Sequence, residues 1–174
     1  MSPQQVAFTI GHSTRSVEDF IALLLAHHIE LVVDVRTVPR SRRNPQFNRE
    51  TLPESLDAAG IRYEHAAALG GFRRPGPNSP NAGWRNASFR GYADYMQTAA
   101  FAAAIGSLAE RAHRQRLAVM CAEAVPWRCH RSLIADALVA RGITVEEIIS
   151  KTRTQPHAMT SFSRVEGTTV TYPG

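Results

Sequence analysis

Apolar positions along the chain fall into short continuous runs separated by longer segments of helical period. Val6-Ala7-Phe8-Thr9-Ile10 is short, apolar and β-branched, which predicts a first strand. Ser16 then stands where an N-cap belongs, Asp19 falls in the first turn, and Phe20, Leu23, Leu24 and His27 follow at helical spacing. Leu31-Val32-Val33-Asp34-Val35 is nearly all apolar, the pattern of a central parallel strand covered on both faces. A Pro- and Arg-rich loop runs from Thr37 to Phe47, after which Asn48 can cap a short helix bearing Leu52, Leu56 and Ala59 and closed by Gly60. Ile61 to His65 predicts a further strand. The stretch from Gly70 to Gly91 holds five glycines and three prolines without periodicity and reads as a long loop. Two apolar stripes then mark a helical region from Tyr92 to Gln115, broken near Thr98. Leu117 to Cys121 predicts a buried strand, Ser132 to Arg141 a helix ended by Gly142, and Val145 to Ile149 the last strand of the alternating core. Ser163 to Tyr172 reads as a small hairpin turning at Glu166-Gly167.

Strand and helix alternate, which predicts an α/β fold: a mostly parallel twisted sheet, helices on both faces and a small C-terminal hairpin. A chain of 174 residues suits a single domain spanning 1–174, with its core at about 6–173, and no composition break marks a second. No apolar run approaches the roughly 20 residues that span a bilayer. Met1 to Gln5 has neither a basic n-region nor an apolar h-region, so no signal peptide is expected and the placement read here is cytoplasmic, with no membrane partner. In that compartment Cys121 and Cys129 stay reduced, leaving burial, reactivity or metal binding as their roles.

The formal net charge is +5, and Lys151 is the only lysine. A GC-rich coding sequence favours arginine, but it scatters the residue evenly. Here Arg36 to Arg49 holds five arginines and no acid, and Gly70 to Tyr92 holds Arg73, Arg74, Arg85 and Arg90, again with no acid. Guanidinium forks bind phosphate and carboxylate bidentately, so these loops point to an anionic partner, a small molecule or a nucleic acid. Trp84, Phe89 and Tyr92 interleave with Arg85 and Arg90, which fits either a single-strand nucleic-acid surface or a loop pinned to the core by its aromatics.

In open α/β sheets, ligands bind beyond the carboxyl ends of the strands. That rule collects the conspicuous polar residues at one edge. His12 and Ser13 follow the first strand, Asp34 and Arg36 end the second, and Gly70 and Gly71 follow the third. Cys121 and Glu123 end the fourth, Arg128, His130 and Arg131 lead into the next helix, and His157 follows the fifth. A thiol at a strand end, near a helix N-terminus and arginines, has a depressed pKa and can act as a nucleophile; it can equally be a small buried hydrophobe. The order strand, Cys, loop, Arg, helix resembles that of cysteine-dependent phosphatases. However, six residues separate Cys121 from Arg128, one more than that loop uses, and Pro126-Trp127 is bulky. Seven residues separate the two thiols, which matches no common zinc spacing, so no metal is assigned, although His12 or His157 could complete a set in space. His12 can be a general base, a phosphate ligand or a structural histidine. Asp34, buried at a strand end, needs a partner such as Arg36 and is either half of an ion pair or an active-site group.

With these residues placed, the chain resembles the DUF488 family, a domain of unknown function. The resemblance rests on Thr9-Ile10-Gly11-His12-Ser13, Asp34-Val35-Arg36 with Pro39 and Ser41, Phe47, Leu69-Gly70-Gly71, Tyr92-Ala93-Asp94-Tyr95-Met96, Met120-Cys121-Ala122-Glu123 with Cys129-His130-Arg131, and Pro156-His157. It runs from about Phe8 to Pro173 and implies a compact prokaryotic α/β domain, without a reaction to carry over.

The expectation is therefore an enzyme, a hydrolase or transferase, acting on a phosphate-containing substrate (a nucleotide or nucleic acid) without a cofactor. Cys121, His12, Asp34 and Glu123 are the candidates for its chemistry. Ser13, Arg36, Arg40, Arg42, Gly70, Gly71, Arg128, His130, Arg131 and His157 are the candidates for holding the substrate. A nucleic-acid-binding module without catalysis and a small-ligand sensor are the alternatives. The first reading requires His12, Asp34, Arg36, Cys121, Glu123 and Arg131 to converge in one cleft.

Overall fold

The computed structural model describes residues 5–174; Met1 to Gln4, most of the stretch read for a signal peptide, lie outside them. Within the described residues a six-stranded sheet runs in the order β3-β2-β4-β1-β5-β6. The strands are β1 (Val6–Gly11), β2 (Leu31–Asp34), β3 (Arg62–His65), β4 (Leu117–Cys121), β5 (Thr144–Ile148) and β6 (Thr154–Pro156). The first five are mutually parallel, and β6 is antiparallel to β5. A separate hairpin, β7 (Arg164–Glu166) and β8 (Thr169–Thr171), closes the chain. Its turn falls at Gly167-Thr168, one residue later than expected, because Glu166 still pairs with Thr169. No helix among the described residues is long and apolar enough to cross a membrane.

The described residues form five α-helices: α1 (Val17–Ala26), α2 (Leu52–Ala58), α3 (Ala87–Tyr95), α4 (Ala99–Arg114) and α5 (Arg131–Ala140). Ser16 caps α1 by accepting a hydrogen bond from the Asp19 amide at 3.0 Å, and Thr98 caps α4 in the same way through Phe101. Two local expectations are corrected. The Asn48 side chain accepts from the Ser41 amide at 2.6 Å and so braces the arginine loop rather than capping α2. The helical region begins at Ala87, not Tyr92, because Asn86 accepts from the amides of Ser88 and Phe89.

Side chains alternate across the strands and divide the core into two layers. Phe8, Ile10, Val32, Ala118 and Met120 face α1 and α2, where Phe20, Leu24, Phe47, Leu52 and Leu56 cover them. Ala7, Val33, Val35, Val119, Cys121 and Val145 face the other way, toward Tyr92, Ile105, Leu133 and Leu138 of α3 to α5. Burial of both faces is why the central strands read as continuous apolar runs. The same alternation decides which polar groups can meet. His12 continues the phase of Phe8 and Ile10, and Asp34 and Arg36 continue that of Val32, so these three project on the α1/α2 side. Cys121 and Glu147 project on the α5 side.

Candidate functional site

A cleft of about 780 Å³ opens over the carboxyl ends of β1, β2 and β4. Its lining includes His12, Ser13, Arg36, Arg40, Gly71, Cys121, Glu123, Arg128, Cys129 and His130. The two phases of side chains described above meet here, over the end of the sheet.

On the α1/α2 side, Asp34 is wholly buried and carries Arg36 above it. The Arg36 Nε lies 2.9 Å from Asp34 Oδ1 and its Nη2 lies 2.7 Å from Oδ2, while Nη2 also donates to the Phe47 carbonyl at 2.7 Å. The Tyr63 hydroxyl donates to the same carboxylate, and burial together with that negative neighbour raises its pKa above the ordinary tyrosine range. Both Asp34 oxygens are thus engaged, and one guanidinium nitrogen, Arg36 Nη1, is left to face the cleft and His12 Nε2 at 3.4 Å. His12 stacks on Phe47 with ring centroids 4.3 Å apart. Its Nδ1 lies 2.8 Å from the Ser13 carbonyl and therefore carries the proton, which leaves Nε2 as an acceptor toward Arg36. Burial first, and Arg36 second among the lowering influences, bring its pKa down to about 4, so the ring is neutral at neutral pH.

On the α5 side the central group is Cys129, with Cys121 behind it. The two sulfurs are 2.7 Å apart and both thiols are free. His130 donates from Nε2 to the Val35 carbonyl at 2.9 Å, which fixes the tautomer and turns the bare Nδ1 toward Cys129 Sγ, 3.7 Å away. The Arg131 amide, at the first turn of α5, lies 3.5 Å from the same sulfur. The Cys121 contact, then His130 and this helix N-terminus, hold the Cys129 thiol well below the usual thiol range. Burial pushes Cys121 the other way, and its proximity to Cys129 adds to that. Each thiol's ionisation depends on the other's, and Cys129 is the one that ionises more readily.

Arg131, expected to grip the anion, is fully buried beneath the cleft. Its guanidinium contacts Cys121 Sγ at 2.6 Å and Glu147 Oε1 at 2.6 Å, and it also donates to the carbonyls of Glu123 and Ala124. The 122–128 loop therefore turns carbonyls inward around a cation. A phosphate-cradling loop turns N–H groups inward, so the likeness to the phosphatase loop ends at residue order. Glycine is required at position 11, where a Cβ would stand 1.7 Å from the Glu123 carbonyl oxygen and force the loop off the sheet. Gly71 leaves room for the His130 ring, 3.3 Å from where its Cβ would be.

Arg40 reaches the cleft but pairs with Glu50 at 3.1 Å on the exposed rim. Arg42 is exposed outside the lining, and Gly70 packs beside Thr37 behind it. His157 lies away from the cleft: β6 doubles back along β5, so the His157 amide bonds the Val145 carbonyl and its ring meets Asp136 at 2.7 Å. The long loop is held by Asp94, which accepts from the Gly76 amide, Ser79 and Asn81. Trp84 packs edge-on against Phe89 and Phe162, so these aromatics pin the loop. Among the described residues no three His, Cys, Asp or Glu side chains are grouped to hold a metal ion. Sequence reasoning singled out Cys121 and gave Cys129 no catalytic role, although its place directly before a helix was a usable signal for the contacts it makes with His130 and the Arg131 amide. It had no means of finding Tyr63, Glu147 or the Val35 carbonyl, which are brought in by pairing across the sheet.

A family model described as "Domain of unknown function DUF488" matches residues 16–138. The chain belongs to this family. The matched span is narrower than the resemblance read from the motifs; it takes in every lining residue from Arg36 to His130 and stops short of His12 and Ser13. No curated protein and no solved structure matches the chain.

Proposed function

We propose that this DUF488 chain is an enzyme, a hydrolase or transferase, that acts on an anionic, phosphate-containing substrate, a nucleotide or a nucleic acid, with Cys129 as its nucleophile. The observation that carries the reading is the Cys129–His130 pair opening into a cleft whose cations are Arg36, Arg40 and Arg128. His130 Nδ1 takes the thiol proton, and the Val35 carbonyl holds the ring in the tautomer that allows it. Arg36 Nη1 and Arg128 attract the anion. Glu123, exposed on the cleft wall, is placed to exchange protons with solvent, and neutral His12 offers Nε2 as an acceptor. Attack by the thiolate on phosphorus forms an S–P bond as the bond to the leaving oxygen breaks, and that oxygen takes the proton held at His130 Nδ1; water or a second acceptor then attacks phosphorus, the S–P bond breaks and the thiolate is restored. A cytoplasmic setting, whose reductants keep both thiols free, suits this chemistry.

The test is turnover of mononucleotides and short single-stranded oligonucleotides by the wild type and by Cys129→Ser. Turnover with a trappable Cys129 adduct, both lost in the variant, is the expected result. Equal turnover by Cys129→Ser overturns the assignment.

Binding without catalysis has one observation in its favour. Arg42, Arg43, Arg74 and Arg85 are exposed beyond the cleft, and Phe72 stands 84% exposed at its mouth with a positive φ of 54°. Arginines that track a polymer backbone release counterions, at a log–log salt slope of about −0.7 per contact on single strands. A shallower slope for the double variant Arg42→Ala, Arg43→Ala, with unchanged binding by Cys121→Ser, supports this reading, and an unchanged slope removes it.

A further inference from the structure

Cys121 and Cys129 reach each other from different elements. Cys121 ends β4 with its side chain on the α5 face, and Cys129 stands two residues before the first residue of α5. Their sulfurs, 2.7 Å apart, are closer than two non-bonded sulfurs ordinarily sit. They are farther apart than the covalent S–S bond of about 2.05 Å. The 122–128 loop is the only chain between them, and both thiols line the cleft, where a small solute can enter. We propose that Cys121 and Cys129 form a redox couple, which a peroxide converts to an intrachain disulfide and a dithiol reductant restores. The inference rests on the geometry of the two thiols and stands whether or not Cys129 is also a nucleophile toward a phosphate-containing substrate.

The steps balance with hydrogen peroxide as the oxidant. The Cys129 thiolate attacks one peroxide oxygen; the S–O bond forms, the O–O bond breaks, and hydroxide leaves to take up the proton Cys129 had shed. Cys129 is then a sulfenic acid. Cys121 attacks its sulfur; the S–S bond forms, the S–O bond breaks, and the Cys121 proton leaves with the hydroxyl as water. Two thiols lose two electrons and two protons, and one peroxide becomes two waters.

The surroundings suit each half of this sequence. Cys129 has the helix N-terminus and His130 to hold it as the attacking thiolate. Cys121 has the Arg131 guanidinium at 2.6 Å, which favours its deprotonation during the second step. The negative charge of Cys129 opposes that deprotonation in the reduced state, and oxidation to the neutral sulfenic acid removes it. The order is therefore built in: Cys129 reacts first and Cys121 resolves.

The experiment uses the full chain, reduced, desalted and treated with a slight excess of hydrogen peroxide. The expected wild-type product is monomeric, about 2 Da lighter, and has no thiol titratable by an aromatic disulfide reagent; dithiothreitol restores both thiols. Trypsin cuts after Arg128, between the cysteines, so the two peptides stay joined only by the new bond. Cys121→Ser should stop at the sulfenic acid, trapped by dimedone, or run on to the sulfinic acid, and Cys129→Ser should keep its remaining thiol. Thermal unfolding checks both variants, and the wild-type peptide map alone decides if either fails to fold. Wild type that gains about 32 Da at Cys129 while Cys121 stays free overturns the proposal. So does oxidation of Cys129→Ser at the wild-type rate.

Discussion

Replacement of His12 by Gln should flatten the acid limb of the stability profile. The native ring is neutral, with its pKa lowered from 6.5 to about 4 by burial and by Arg36. In the unfolded chain His12 titrates normally, so below about pH 6.5 the unfolded state binds the additional proton, and stability falls with pH until the native ring protonates near 4. The full shift is worth about 3 kcal/mol at about 1.4 kcal/mol per pKa unit, and about 2.5 kcal/mol of it is lost between about pH 7 and pH 4.5. Gln at position 12 can still accept from Arg36 but does not titrate, so it keeps the contact and removes the linkage. Urea unfolding of both proteins at the two pH values, read by the fluorescence of Trp84 and Trp127, gives the comparison. Other acids titrate in both proteins and cancel. Wild type should lose about 2.5 kcal/mol more than His12→Gln on acidification. Equal losses would show that His12 is already protonated in the native cleft, and the picture of a neutral acceptor beside Arg36 would fail.

Three further outcomes follow from the same contacts. Asp34→Asn strips a buried guanidinium of its counter-ion and should cost about 3–5 kcal/mol in urea unfolding, against about 1 kcal/mol for Tyr63→Phe, which removes one hydrogen bond. Gly11→Ala drives a methyl group into the Glu123 carbonyl and should cost about 1–3 kcal/mol; it should also slow alkylation of Cys129 by disturbing the loop that ends at that residue. Phe72→Gly relieves a left-handed backbone at an exposed aromatic and should stabilise the fold by about 1 kcal/mol. The same change should weaken oligonucleotide binding in an anisotropy assay; unchanged binding would show that Phe72 takes no part in the cleft.

The sheet and the cleft at its carboxyl edge were legible because the central strands are buried on both faces and their apolar runs stand out from the helical period. Strand phase was legible too: Phe8, Ile10 and His12 share one face, and Leu117, Val119 and Cys121 the other. The edge strand β6 was not, because one half-buried and two exposed residues, Pro156 among them, carry no apolar pattern, and without it His157 is expected at the carboxyl edge rather than beside Val145. The early start of α3 was hidden by Gly91, which packs against Arg73 and breaks the stripe. Cys121 stands out in the sequence because it ends a strand, whereas the contacts with His130 and the first turn of α5 belong to Cys129. That difference depends on which nitrogen of His130 is bare, and the Val35 carbonyl, 95 residues earlier in the chain, decides it. The role of Arg131 depends likewise on Glu147, sixteen residues on, across the sheet from β4.

The central claim, a Cys129 thiolate poised in an anion-binding cleft, is tested most directly by the rate of Cys129 alkylation with iodoacetamide. It is followed by peptide mass analysis across pH and in the presence of inorganic phosphate or a short oligonucleotide. The account predicts a rate that is already at its plateau below about pH 7, well under the ordinary thiol pKa of about 8.5, and that falls severalfold when either anion is added. A rate that climbs through about pH 8.5 as a free thiol does, with no protection by either anion, would contradict it.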